Sequence, residues 1–183
     1  MRRGRSAGWS GPAFALALVL LVSGCFEGGE KDRAGPNAVA ADFDLPLLDG
    51  GQIRLQEMRG KIVILDFWAT WCTPCEVQMP VLDALWRDED RQAEHGDDLM
   101  IVGISVDTDP ASKVAAWVDE RGFLYPIAIG DQDLAMRYGV IGFPTLVIID
   151  PSGGIHTRHI GVLSRPEIET VLDEIRLEAL VSG

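Results

Sequence analysis

Two cysteines, Cys72 and Cys75, are separated by two residues within the run Trp68-Ala69-Thr70-Trp71-Cys72-Thr73-Pro74-Cys75. They follow the apolar run Ile62–Phe67, which predicts a buried strand, and they precede a segment that predicts a helix. A thiol pair on a strand-to-helix turn is typical of a thiol–disulfide redox centre. The alternatives are a stable structural disulfide or half of a zinc site. A zinc site needs about four ligands, and the sequence offers no second Cys or Cys/His pair to complete one.

The two thiols have different predicted roles. Cys72 lies at the start of the predicted helix, where free N–H groups and the helix dipole favour negative charge, so we interpret it as the nucleophile. Cys75 is carried inward by the helix and is interpreted as the resolving thiol. Thr73 and Pro74 tune the pair, because proline stiffens the turn and removes one N–H that could stabilise a thiolate. We therefore expect a moderately reducing centre.

One acidic residue interrupts the apolar strand that leads to the cysteines. Asp66 follows Ile62-Val63-Ile64-Leu65, and a carboxylate buried in such a run is costly unless it has a function. We interpret Asp66 as a buried base that accepts a proton from Cys75, directly or through water. The alternative is that strand alternation places Asp66 on the surface.

A third cysteine, Cys25, ends a segment that predicts export. Arginines at positions 2, 3 and 5 precede an apolar stretch, Pro12–Val22, that is too short to span a bilayer comfortably. Residues 1–24 therefore predict a secretory signal peptide. Val22-Ser23-Gly24-Cys25 resembles a bacterial lipobox, in which Cys25 becomes the lipidated first residue of the mature protein. An ordinary cleaved signal with a coincidental cysteine is the alternative.

Composition constrains the partners and the place of action. The formal net charge is −12, which argues against nucleic acid as a partner. Residues 25–41, rich in Gly, Ala and charged residues, predict a lipidated cysteine followed by a flexible tether, and residues 42–183 predict one folded domain. We expect a protein of the cell envelope that faces the periplasm and is held to a membrane by its lipid.

The hydrophobic pattern of the domain alternates between strands and helices. It predicts a hairpin around Asp49-Gly50-Gly51 and one long helix from Thr73 to His95, kinked at Pro80. Further predicted strands are Leu99–Val106, Tyr125–Ile129, Thr145–Ile149 and Ile155–Ile160, and further predicted helices are Asp109–Gly122, Asp131–Tyr138 and Arg165–Leu180. This order is typical of an α/β sandwich with a mixed sheet.

Four short segments resemble the thioredoxin superfamily, and specifically its TlpA/ResA-like envelope branch. They are Asp66-Phe67-Trp68-Ala69, Trp71-Cys72-Thr73-Pro74-Cys75, Pro80, and Gly142-Phe143-Pro144-Thr145, and the likeness extends over Ala41–Leu180. The resemblance implies a thioredoxin-like three-layer sandwich with a central mixed sheet, an N-terminal β-hairpin, and an inserted helix and strand between Val106 and Ile129.

The resemblance also implies a substrate site. Gly142-Phe143-Pro144-Thr145 resembles the cis-proline loop of the family, so Pro144 is expected to shape the backbone against Cys72, where an extended peptide could pair with it. Trp71 and Phe143 would form an apolar rim of this substrate site, to which Thr73 and Pro74 between the cysteines are also assigned, whereas Trp68 is expected in the core. His95, His156 and His159 are scattered and are interpreted as non-functional.

The function implied is that of a membrane-tethered thiol–disulfide oxidoreductase that acts as a monomer without a metal or other cofactor. It would reduce disulfides of protein substrates with electrons from a membrane thiol reductant, and apocytochrome c is the leading substrate by resemblance. Two departures stand out. Gln78 occupies a position where ResA-like proteins often carry glutamate, and Asp66 occupies one where many carry a neutral residue and plain thioredoxins an aspartate. A copper(I) chaperone that binds the ion through Cys72 and Cys75 is the alternative function.

Overall fold

A five-stranded mixed sheet is the centre of the structure, a computed structural model that describes residues 38–182. The predicted signal peptide, Cys25 and the first part of the predicted tether lie outside these residues. The strands are β1 (Asp44–Pro46), β2 (Gln52–Arg54), β3 (Ile62–Trp68), β4 (Leu99–Ser105), β5 (Ile127–Ile129), β6 (Thr145–Ile149) and β7 (Ile155–Ile160). The sheet has the order β5-β4-β3-β6-β7, and β1 pairs with β2 in a separate hairpin.

The central strand β3 is paired on both edges and buried along its whole length. β3 is parallel to β4 and β4 is parallel to β5, whereas β6 runs antiparallel to β3 and β7 antiparallel to β6. All seven residues of β3 are buried, as expected of a strand covered by helices on both faces of the sheet. The predicted mixed α/β sandwich with an N-terminal hairpin and an inserted helix and strand is therefore confirmed.

The helices are α1 (Cys75–Trp86), α2 (Glu89–His95), α3 (Ala111–Arg121), α4 (Gln132–Arg137) and α5 (Arg165–Ser182), with a short 3₁₀ helix at Leu55–Met58. The helix α3 and the strand β5 are the predicted insertion, and α1 packs against α5. No helix within residues 38–182 has the length and the apolar character needed to cross a membrane.

The prediction of one long helix from Thr73 to His95 is wrong. The chain forms two helices, and the break lies at Arg87 and Asp88 rather than at Pro80, which remains inside α1. Asp88 has an extended backbone, and its side chain accepts a hydrogen bond from the Arg91 amide at 2.9 Å. Asp88 is therefore the N-cap of a new helix. The run Asp88-Glu89-Asp90 indicates such a helix start, because acidic residues are favoured at the cap and in the first turn.

The segment before the hairpin is attached to the domain. The Ala40 amide donates to the Gly153 carbonyl at 3.0 Å, the Ile155 amide donates to the Ala38 carbonyl at 2.8 Å, and the Ala40 side chain is buried. The Tyr138 hydroxyl donates to the Ala41 carbonyl at 2.6 Å. Residues 38–41, which the sequence placed in the tether, are thus packed on the domain because their backbone pairs with the start of β7.

Candidate active site

The turn between β3 and α1 brings the two cysteines together. The Cys72 amide donates to the Ala69 carbonyl at 3.0 Å, and the Cys75 amide donates to the Cys72 carbonyl at 3.1 Å. The two residues are joined by a disulfide, with their Cα atoms 5.4 Å apart. A pair held this way can alternate between disulfide and dithiol while the surrounding elements stay in place.

The two sulfurs have different surroundings. Cys75 is fully buried as the first residue of α1, whereas Cys72 keeps 5 % of its surface exposed. The Cys75 amide also lies 3.2 Å from the Cys72 sulfur, to which it donates. An N–H at a helix start that points at a sulfur stabilises a thiolate there, which supports Cys72 as the attacking thiol. Pro74 immediately precedes α1 with a helical backbone and has no N–H to add to this effect.

An apolar rim lies beside Cys72, the less buried of the two cysteines. Trp71 is 67 % exposed, and its ring packs edge-on against Phe143 with the centroids 5.7 Å apart. The peptide bond between Phe143 and Pro144 is cis. Because Trp71 precedes Cys72 and Phe143 precedes Pro144, the ring contact places the proline loop next to the redox pair. Trp68, by contrast, is fully buried, as the sequence indicated.

Asp66 is fully buried in β3. Its Oδ2 accepts a hydrogen bond from the Tyr125 hydroxyl at 3.3 Å, while its Oδ1 has no partner among the described residues. Removal from water raises the pKa of Asp66 to about 7, and the Tyr125 hydrogen bond acts in the opposite direction. A carboxyl group that titrates near neutral pH is suited to accept and return protons.

Sequence reasoning missed Asp107, which anchors the redox turn. Its carboxylate accepts hydrogen bonds from the Thr70 amide at 3.0 Å, from the Thr70 hydroxyl at 2.7 Å and from the Ser105 hydroxyl at 2.8 Å. Thr70 lies two residues before Cys72, so these bonds tie the turn to the end of the neighbouring parallel strand. A signal existed, because β3 and β4 are adjacent and polar residues that follow parallel strands meet at one edge of the sheet.

We expect Asp107→Ala to loosen the redox turn. The substitution leaves the Thr70 amide and hydroxyl without their acceptor, and it should lower the free energy of unfolding by about 2 kcal/mol, since bonds to a charged group are lost. The rate of alkylation of Cys72 by iodoacetamide should change as well, because the turn that sets its position is no longer anchored. Urea denaturation and alkylation of the reduced protein measure the two effects.

Asp109→Ala is the matched control for this prediction. It removes the same charge two residues further along, from a carboxylate that pairs with Lys113 at the surface at 2.8 Å. Exposed ion pairs of this kind contribute little to stability. Equal effects of the two substitutions on unfolding and alkylation would show that only the charge matters, and that Asp107 does not anchor the turn.

Gln78 is held in place by a hydrogen bond from a distant loop. Its side chain is fully buried, and its Oε1 accepts a hydrogen bond from the Leu163 amide at 2.7 Å. Its Nε2 has no partner among the described residues. Gln78 therefore links α1 to the loop before α5, and it provides no titratable group at this position.

The described part of the chain contains no group of three or more His, Cys, Asp or Glu side chains arranged to hold a metal ion. Copper(I) binding by the chaperone alternative would thus depend on Cys72 and Cys75 with no third such ligand from residues 38–182.

Comparison with known proteins agrees with this geometry. Residues 36–158 match the AhpC/TSA family. The thioredoxin-like protein YneN of Bacillus subtilis (strain 168) is 36% identical over 136 residues, which cover 73% of this chain and 76% of that protein. The thiol-disulfide oxidoreductase ResA of Geobacillus thermodenitrificans (strain NG80-2) is 33% identical over 148 residues, which cover 80% of this chain and 82% of that protein.

Solved structures share the same fold. The exposed lipoprotein thioredoxin Etrx1 from Streptococcus pneumoniae strain TIGR4 has 29% sequence identity and a TM-score of 0.63, and the match covers 73% of this chain and 99% of that one. A Chlorobium tepidum structure described as a thiol:disulfide interchange protein DsbE has 27% identity and a TM-score of 0.63, covering 82% and 99%. The chain therefore belongs to the AhpC/TSA family and, within it, to the thioredoxin-like thiol–disulfide oxidoreductases related to ResA.

Proposed function

We propose that this oxidoreductase reduces disulfides of protein substrates in the cell envelope while a lipid on Cys25 holds it to a membrane. The observation that carries the proposal is the pairing of a nearly buried cysteine with an exposed aromatic rim. Trp71 and Phe143 offer apolar surface next to Cys72 that a folded or extended protein segment can cover. A small disulfide such as oxidised glutathione would leave most of that surface in water.

The reaction follows from the two cysteines and the buried carboxylate. The Cys72 thiolate attacks one sulfur of the substrate disulfide, forms a mixed disulfide and releases the other substrate sulfur as a thiolate, which takes up a proton. Cys75 then transfers its proton to Asp66, directly or through water, and attacks the Cys72 sulfur. The second substrate thiolate leaves, and the enzyme holds the Cys72–Cys75 disulfide after giving up two electrons. A membrane thiol reductant supplies two electrons and restores the dithiol.

Apocytochrome c is the substrate that we favour. The support is the relationship to proteins named ResA, together with the rim beside the loop at Pro144, whose backbone offers a place for an extended peptide to pair. Unfolded apocytochrome presents its haem-attachment cysteines as Cys-x-x-Cys-His within an extended chain. Such a segment can reach Cys72 and cover the rim at the same time.

A single-turnover assay tests this function. The reduced protein is mixed with a synthetic peptide that carries an oxidised Cys-x-x-Cys-His motif, and in parallel with oxidised glutathione. We expect the peptide to be reduced faster, and Cys72→Ser to abolish both reactions. The reduction potential, measured in dithiothreitol buffers, should lie nearer to the value of about −270 mV of thioredoxin than to the value of about −120 mV of DsbA. A strongly oxidising potential would overturn the assignment as a reductant.

We expect Cys25→Ser to release the protein from membranes or to leave the precursor uncleaved. The reason is that the sequence Val22-Ser23-Gly24-Cys25 offers one thiol for lipid attachment before the predicted mature chain. Membrane fractionation and intact-mass measurement check the result. Cys72→Ser is the control and should leave both unchanged, and an unaltered mass and distribution after Cys25→Ser would contradict lipidation.

A further inference from the structure

Asp66 receives its hydrogen bond from a residue outside the redox motif. Tyr125 immediately precedes Pro126 and β5, in the segment inserted between β4 and α4, and it is 2 % exposed. Its hydroxyl lies 3.3 Å from Asp66 Oδ2. The inserted segment therefore supplies the polar contact to the buried acid from a position 59 residues along the chain.

A glycine in the neighbouring strand leaves space beside the Tyr125 ring. Gly103 of β4 is the register partner of Asp66 in β3. A Cβ atom at Gly103 would lie 3.1 Å from Tyr125 Cε2, 3.2 Å from Trp68 Nε1 and 2.5 Å from Ile127 Cδ1. A methyl group at residue 103 would thus overlap the end of the Ile127 side chain and crowd the Tyr125 ring and the Trp68 indole, so this position has to be small.

We propose that Tyr125 is a positioning residue for the reaction at Cys75, because its hydroxyl donates the hydrogen bond that favours the ionised carboxylate of Asp66. The proposal rests on the role of Asp66 as proton acceptor in the proposed function. Tyr125 is thus a positioning residue rather than a catalytic one. It acts through Asp66 by holding one carboxylate oxygen and by stabilising the form that can take a proton.

The electrostatic surroundings of the pair agree with this role. Burial is the main cause that raises the pKa of Asp66, and the Tyr125 hydrogen bond lowers it. Burial, followed by the nearby charge of Asp66, raises the pKa of Tyr125 well above its ordinary value, so the phenol stays protonated and remains a donor. Asp83 of α1 acts on Tyr125 in the same direction. The Trp117 ring packs against the Trp68 indole with the centroids 5.0 Å apart, and the Arg121 guanidinium lies 3.7 Å from the Trp117 centroid.

Removing the hydroxyl should shift the pH range in which Asp66 can work. In Tyr125→Phe both carboxylate oxygens lack a donor among the described residues, and we expect the pKa of Asp66 to rise by about one unit. At pH 7 the ionised fraction, and with it the rate of attack by Cys75, should fall about fivefold and recover at higher pH. If Tyr125 had a purely structural role, its loss would change the maximal rate of attack by Cys75 or the stability of the protein. The midpoint of the pH profile would stay in place.

Two measurements on the full protein test the proposal. Carbon-13 NMR of the Asp66 carboxyl in the oxidised form gives its pKa without thiol titration. Ellman's reagent reports the second step in the reduced form, since Cys72 releases the first thionitrobenzoate and Cys75 releases the second when it resolves the mixed disulfide. We expect Tyr125→Phe to move both the NMR midpoint and the midpoint of the second release upward.

Tyr138→Phe is the matched control. It removes another buried tyrosine hydroxyl, one that donates to the Ala41 carbonyl at 2.6 Å, and its ring packs on Phe67. Phe67 and Asp66 are adjacent in β3 and point to opposite faces of the sheet. Tyr138→Phe should therefore lower stability while both midpoints stay in place.

Failure of the role of Asp66 and failure of the role of Tyr125 give different results. A second release whose pH profile is unchanged by Asp66→Asn would overturn Asp66 as the proton acceptor, and with it the proposal for Tyr125. A profile that depends on Asp66 but keeps its midpoint in Tyr125→Phe, with an unchanged carboxyl pKa, would overturn the role of Tyr125 alone. In the Asp66→Asn background, Tyr125→Phe should produce no further shift.

Discussion

Replacing Cys75 with serine should stop turnover and leave the protein joined to its substrate through Cys72. The first attack requires only the Cys72 thiolate, which the Cys75 backbone amide still contacts after the substitution. The second attack requires a sulfur nucleophile at position 75, and a serine hydroxyl cannot displace a disulfide sulfur. We expect turnover to fall by on the order of a thousandfold or more, since the substitution removes a covalent step rather than weakening it. Mass spectrometry under non-reducing conditions would detect the adduct.

Cys72→Ser is the matched variant for this experiment. It should be equally inactive but should form no adduct, because the remaining thiol of Cys75 is fully buried. Alkylation of the two single-cysteine proteins gives an independent check, with the thiol of Cys72 expected to react faster and to titrate below the ordinary thiol pKa of about 8.5. Adducts on Cys75 in the Cys72→Ser protein, with none in the Cys75→Ser protein, would reverse the two roles.

The parts of this structure that were predictable from sequence are those set by local signals. The apolar run before Cys72 predicted the central strand, and the Asp49-Gly50-Gly51 turn predicted the hairpin of β1 and β2. The strands β6 and β7 have the predicted bounds, because the Gly-containing turn that begins at Pro151 ends the first strand and begins the second. In each case a few neighbouring residues determine the backbone, so no knowledge of distant contacts is needed.

Contacts between distant parts of the chain could not be predicted in the same way. The partners of Asp66 depend on the register of β3 against β4, which places Gly103 opposite it, and on the inserted segment that delivers Tyr125. The anchor at Asp107 depends on the same parallel pairing. The bond from the Leu163 amide to Gln78 spans 85 residues. Hydrophobic periodicity carries no information about these pairings.

The burial of Asp66 was a question that periodicity alone could not settle. Alternation along a strand assigns one face to the core and the other to solvent, and it left a surface position open for Asp66. In the structure every residue of β3 is buried, because helices cover both faces of the sheet. A strand of this kind has no solvent face, and any carboxylate within it is desolvated.

That desolvation predicts a large effect of pH on stability. Asp66 has an ordinary pKa of 3.8, and burial raises it to about 7 in the folded protein. Below pH 3.8 the carboxyl is protonated in both folded and unfolded states and adds no pH dependence. Above that value the unfolded chain loses the proton more readily, so the folded state loses stability steadily until the pH passes about 7. Three units at 1.36 kcal/mol each amount to a loss of about 4 kcal/mol.

Asp66→Asn should remove this decline, because an amide does not titrate. The buried Nδ2 of the asparagine changes the free energy of unfolding by the same amount at every pH. The informative quantity is therefore the slope of this free energy with pH rather than its value at any single pH. Denaturant unfolding of the oxidised protein between pH 4 and pH 8 measures that slope without interference from thiol titration. Gln78→Ala is the control for loss of a buried polar group, and it should lower stability equally across the range while keeping the decline of the parent protein. The opposite result would be that the free energies of unfolding of the parent and of Asp66→Asn change in parallel with pH. Asp66 would then ionise at little cost in the folded state. Its pKa would not be near neutral pH, and it could not accept the Cys75 proton as proposed.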